Sequence, residues 1–146
     1  MFLRSSVAAL AIVLTAAGGA KPIVNKDSHE LAIKGYDVVA YAADAAATKG
    51  NPRIQYRYDG ATWQFLSAGH RDRFAKDPHR YLPQFGGYCS WAVSRGYTAD
   101  VDPESWKIVD GRLYLLYSKS VQRRWEQDMA GNIARAQANW PAVLDK

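Results

Sequence analysis

Two stretches of the chain alternate aromatic and polar residues about an Asp-Gly pair. In Gln55-Tyr56-Arg57-Tyr58-Asp59-Gly60-Ala61-Thr62-Trp63-Gln64-Phe65-Leu66 the residues Tyr56, Tyr58, Trp63 and Phe65 recur at every second position. That period predicts two strands, each with one aromatic face, and Asp-Gly between them predicts a tight primed turn. Ser67 then stands where a helix N-cap belongs, and Ala68 to Lys76 predicts a helix that buries Phe74 and stops at Asp77-Pro78. Lys107 to Tyr117 repeats the plan, turning at Asp110-Gly111. Ser118 is its cap, and Val121 to Gln127 its helix, burying Trp125. At an offset of 51 residues, Ser67 to Ser118, the pairs Asp59/Asp110, Gly60/Gly111, Arg73/Arg124 and Asp77/Asp128 coincide, with Trp63 on Tyr114 and Phe74 on Trp125. Two copies of a hairpin-plus-helix unit account for this, and the expected fold is a small single α+β domain of antiparallel hairpins packed on short helices.

The remaining pattern is weaker. Residues 1–20 combine one Arg, an apolar run from Val7 to Leu14 and small residues from Thr15 to Ala20, as in a secretory signal peptide cut after Ala17 or Ala20. The expected mature chain is exported, periplasmic or secreted, without an integral membrane span. Residues 21–32 are polar and aperiodic through most of their length, which predicts a flexible N-terminal arm, with the domain proper over 33–146. Gly35 to Tyr41 is too short to assign by period, so strand and single helical turn both fit it. Ala42 to Lys49 lacks a cap, Gly50-Asn51-Pro52 reads as a loop, and Asp102-Pro103 reads as the start of one helical turn carrying Trp106. Gly131-Asn132 predicts a break before a last helix over Ile133 to Asn139, which Trp140-Pro141 ends.

Composition narrows the function classes. The formal charge is +5, of which Arg4 supplies one, and Lys and Arg are mixed with acidic residues along the chain, so no nucleic-acid stripe is present. There is one cysteine, Cys89, so an exported chain has no internal disulfide. Cys89 lies in Gly86-Gly87-Tyr88-Cys89-Ser90-Trp91-Ala92-Val93-Ser94-Arg95-Gly96, where two glycines precede a predicted helix over Tyr88 to Arg95 and Gly96 ends it. In the first turn of a helix the free N–H groups favour a thiolate, so the expected pKa direction is downward, in a small surface pocket formed with Gly87, Tyr88 and Trp91. An inert, buried Cys89 is the competing reading, since free cysteine often acts as a small apolar filler.

The ordered motifs Gly35 to Tyr41, Tyr58 to Ser67, Asp77-Pro78-His79-Arg80-Tyr81, Gly86-Gly87-Tyr88-Cys89 and Val109 to Leu115 give the chain a recognisable pattern. It resembles the exported branch of the YHS domain family over roughly Ile33 to Trp140. In that branch the position matching Cys89 is selenocysteine in some members, so the resemblance implies a functional thiol. Other YHS domains look like metal-binding modules, with Cys or His at the end of the hairpin and again one helical turn later. Here those positions are Leu66 and His70, so the first ligand is absent.

The resemblance therefore implies that Cys89 acts in redox chemistry or, with His70, binds a soft transition metal such as copper or zinc. His79, Met129 or a carboxylate would supply a third donor. With no second cysteine to resolve a mixed disulfide, a redox cycle needs a small thiol or a redox or metal-delivery partner protein. A hydrolase with Cys89 as nucleophile and His70 as base has the residue types but no local protease signature. The alternative of a different class is a non-catalytic interaction module in which Cys89 is structural.

Overall fold

Both Asp-Gly pairs turn hairpins, because each pair holds two successive residues at positive φ: 54° and 75° at Asp59-Gly60, 50° and 74° at Asp110-Gly111. In the computed structural model, which describes residues 19–146, β1 (Asn51–Tyr58) pairs antiparallel with β2 (Ala61–Phe65). β3 (Asp102–Val109) pairs likewise with β4 (Arg112–Leu116), and the hairpins form separate two-stranded sheets. The signal segment lies outside the described residues apart from Gly19 and Ala20. Among the described residues no helix is long and apolar enough to cross a membrane.

Ser67 accepts from His70 N and caps α2 (Ala68–Lys76), while Ser118 accepts from Val121 N. The helix that Ser118 starts corresponds to α2 and runs over Lys119–Glu126; we number it α4, after two short helices that precede the hairpins. The expected α+β fold is observed. So is the repeat: Trp63 and Phe74 lie 5.2 Å apart between ring centroids at 34°, and Tyr114 and Trp125 lie 5.4 Å apart at 39°. All four are buried.

The repeat reaches further than the sequence indicated. Each hairpin begins with an Asx-Pro step whose side chain accepts from the backbone two residues on, Asn51 from Arg53 N and Asp102 from Glu104 N. Each first strand shifts register at the same place, between Asn51 and Gln55 and between Asp102 and Trp106. Gly50-Asn51-Pro52 is therefore a loop only at Gly50, and the helical turn expected at Asp102-Pro103 is strand. Asp102 spends its carboxylate on an Asx turn at the bulge rather than on a helix cap.

Before each hairpin stands a 3-10 turn with left-handed residues, Ile33–Gly35 and Gln84–Gly87, and then a short helix, α1 (Val38–Ala43) or α3 (Ser90–Ser94). The open choice at Gly35 to Tyr41 thus resolves to a helix capped by Asp37. α5 (Met129–Asn139) runs straight through Gly131-Asn132, where a break was expected. Asn132 is buried and donates from Nδ2 to Trp125 O at 3.0 Å, which compensates a residue poor in helix propensity. Asn139 Nδ2 donates to Val93 O at 2.8 Å, tying α5 to α3.

The two units share one core. Tyr41 of α1 donates to Pro103 O at 2.8 Å and meets the Trp106 ring edge-on at 5.1 Å. The N-terminal segment, expected to be a loose arm, is docked: Val24 is buried, Lys21 N donates to Leu144 O, Asn25 N donates to Gly86 O and Lys26 bridges to Ala32. Aperiodic polar sequence concealed this docking, which depends largely on bonds to backbone groups and on few apolar side chains.

Candidate functional site

Cys89 is the N-cap of α3, with backbone angles of −57° and 116°; Asp37 is the N-cap of α1, with −76° and 108°. The preceding tyrosines, Tyr36 and Tyr88, match as well, both at φ −72°. Asp37 N donates to Thr48 O at 2.8 Å and Cys89 N to Ala99 O at 2.9 Å. Thus Gly35-Tyr36-Asp37 and Gly87-Tyr88-Cys89 are the same structural step, and Cys89 occupies in the second unit the place of a carboxylate in the first. The offset here is 52, Asp37 to Cys89, because the first unit carries one more residue than the second between this step and its hairpin.

What surrounds the two side chains matches too. Asp37 is fully buried, and its Oδ1 accepts from Val39 N at 2.8 Å and Ala40 N at 3.1 Å. Oδ2 accepts from Leu66 N at 2.8 Å and meets His70 Nδ1 at 2.6 Å. Around the Cys89 sulfur stand the N–H groups of Ala92, Tyr117 and Trp91, the counterparts of Ala40, Leu66 and Val39. The member without a counterpart is His70, whose place is taken by Val121. A buried carboxylate held by three N–H groups and an imidazole thus corresponds, across the repeat, to a buried thiol that accepts no cap hydrogen bond of its own.

Burial decides the state of that thiol. Cys89 is 1% exposed, and burial pushes its pKa up against the pull of the Ala92, Tyr117 and Trp91 N–H groups. The downward shift expected for a helix start is therefore overturned: α3 has only five residues, and the flanking glycines do not leave the sulfur open. The N-terminal segment closes over them, with Tyr88 Oη donating to Pro22 O at 2.8 Å and Asn25 Nδ2 to Gly87 O at 3.3 Å. A Cβ on Gly86, at φ 61°, would stand 2.0 Å from Ile23 O, so the Gly86 position permits this contact. Trp91 lies under the Arg95 guanidinium at 4.2 Å, and Tyr88 packs on Trp140. The expected surface pocket of Gly87, Tyr88 and Trp91 is instead a covered turn.

His70 belongs to the other unit. Its Nδ1 is taken by Asp37, its Nε2 lies 3.8 Å from Asp44 Oδ2, and no hydrogen bond joins it to Cys89. Among the described residues no group of three or more His, Cys, Asp or Glu is placed to hold a metal ion. His79 is exposed beside the first hairpin turn, and Met129 begins α5. Asp37 is the residue that sequence reasoning passed over. The repeated Gly-Tyr step was its signal, hidden at an offset one residue longer than that of the hairpins. No protein-family model, curated protein or solved structure matches the chain.

Proposed function

We propose that this chain is an exported YHS-type domain whose functional group is the Cys89 thiol, guarded by burial and working in redox chemistry. The observation that carries the reading is the place of Cys89 at the cap of α3, the position of Asp37 in the first unit, where the Ala92, Tyr117 and Trp91 N–H groups pull the thiol pKa down against burial. Such a set stabilises an anion whenever the sulfur ionises. It also favours redox chemistry over soft-metal binding, because N–H groups have no lone pair to offer a cation. The step that fits is thiol–disulfide exchange with a small disulfide or a partner protein's disulfide. The Cys89 thiolate attacks one sulfur, a new S–S bond forms, the old one breaks, and the leaving thiolate takes up the proton that Cys89 lost.

The test is intact-mass measurement of folded protein incubated with oxidised glutathione. A single mixed disulfide on Cys89, forming faster as pH rises from 7 to 9, is the expected outcome. An adduct that forms only in denaturant would replace this reading with the second one. That second reading, a non-catalytic interaction module with a structural Cys89, is favoured by the 1% exposure of the residue.

A further inference from the structure

A cleft of about 350 Å³ opens where the first hairpin turn, the connection between the two units and α5 meet. Its walls include the half-buried Trp140 and the buried Phe85, whose rings meet edge-on at 6.2 Å. Four polar side chains from separate parts of the chain also line it: Asp59 from the turn, His79 and Gln84 from the connection, and Gln137 from α5. The volume lies within the range of small-molecule sites, and apolar walls with a few convergent polar groups are their usual composition.

The charge of the cleft runs against that of the protein. The chain carries a net +5, yet no lysine or arginine lines this cleft, and its one carboxylate is that of Asp59. Asp59 enters no ion pair among the described residues. The repeat supplies an internal comparison. Beside the second hairpin turn a cleft of about 590 Å³ contains Asp110, the counterpart of Asp59, but Arg112 stands next to it where the first unit has Ala61. The first cleft therefore has a free carboxylate beside aromatic faces, and the second has an acidic and a basic side chain together.

We propose that the first cleft binds small organic cations, with an ammonium at Asp59 and its apolar body against Trp140 and Phe85. The carboxylate attracts the charge and the aromatic rings take the apolar body, so the two parts of such a ligand have separate partners in one cleft. The site is independent of Cys89 and does not rest on the thiol reading.

Phenethylamine and phenylacetate share a ring and a two-atom or shorter arm and differ in charge, so they form the probe pair. Both are titrated into the full chain while the Trp140 indole N–H is followed by NMR. Saturable shifts with phenethylamine, roughly in the millimolar range, and none with phenylacetate are expected. Asp59→Asn keeps a residue that tolerates positive φ and should weaken phenethylamine about three- to tenfold. Gln137→Arg, on the exposed face of α5, should abolish phenethylamine binding, and combined with Asp59→Asn it should confer binding of phenylacetate. Equal responses to the two probes, no saturable shift with either, or an affinity for phenethylamine unchanged by Asp59→Asn would each overturn the proposal.

Discussion

The two units share a backbone plan but differ in what they place at its centre. In the first, Phe74 is ringed by Tyr56, Tyr58, Trp63 and Phe65, all with centroids within 6.0 Å. In the second, among the described residues, Trp125 has one such aromatic partner, Tyr114, and its indole N–H is buried without an acceptor. The buried cap differs in the same sense. Asp37 has both its oxygens engaged, whereas the Cys89 side chain accepts no cap hydrogen bond. Neighbouring Ser90 Oγ is also buried without a partner among the described residues. The first unit is a satisfied version of the plan and the second an unsatisfied one. Since unsatisfied buried polar groups cost stability, they are expected where a chain keeps a group for chemistry.

The largest effect tests the packing half of this contrast. Phe74→Ala should cost about 3–5 kcal/mol, because four rings lose their common neighbour and cannot all collapse into the space. Trp125→Phe should cost far less, since the smaller ring also removes the orphaned N–H and so recovers part of the loss. Thermal or urea unfolding of the two variants decides it. Equal losses would mean that the second unit is packed as well as the first.

A middle-sized effect tests the caps. Asp37→Ala should cost about 2–4 kcal/mol, since the N–H groups of Val39, Ala40 and Leu66 lose their acceptor inside the core and His70 loses its carboxylate. Cys89→Asp places the first unit's side chain in the second unit's cradle and should fold, whereas a Cys89→Leu chain should not tolerate the larger branch there. Adding Val121→His to Cys89→Asp should rebuild the imidazole pair, with a coupling of about 1 kcal/mol or more in a double-mutant cycle. Zero coupling would show that the cradles match in backbone only.

Much of this contrast was legible in the sequence, and the illegible part has a physical cause. Asp59-Gly60, Asp110-Gly111, Ser67 and Ser118 act through local chemistry, and each appears in the structure as its residue types required. The ring pairs followed because alternation fixes which face of a strand is buried. Local chemistry misled at Asp102-Pro103 and Gly131-Asn132. There, strand pairing with Leu116 and the Asn132 bond to Trp125 O outweighed the local preference. The thiol was the hardest to read, because its acidity depends on coverage. Cys89 is buried in the core that the two units share, and the turn before it is closed by Pro22 and Asn25, more than sixty positions away in the chain.

The smallest effect, and the most specific to Cys89, is the dependence of stability on pH. Its thiol is held above the ordinary value of 9.0 by burial, so the folded chain keeps the proton at a pH where the unfolded chain has released it. Stability from this group is therefore fully present below pH 9 and is lost as pH rises from there through the folded pKa, at no more than about 1.4 kcal/mol per pH unit. Cys89→Ser lacks the group and leaves every other ionisable side chain in place, so the difference between the two proteins isolates the thiol. Urea unfolding between pH 6 and pH 10.5 should show a constant difference up to about pH 9 and a shrinking advantage of the wild-type chain above it. Alkylation of the folded chain at pH 6 should accordingly be slower than that of a free thiol. If the wild-type advantage instead fell as pH dropped from 9 to 6, the folded thiol would be the more acidic one. The N–H groups of Ala92, Tyr117 and Trp91 would then outweigh burial, and the second unit would hold an anion at the place where the first holds the Asp37 carboxylate.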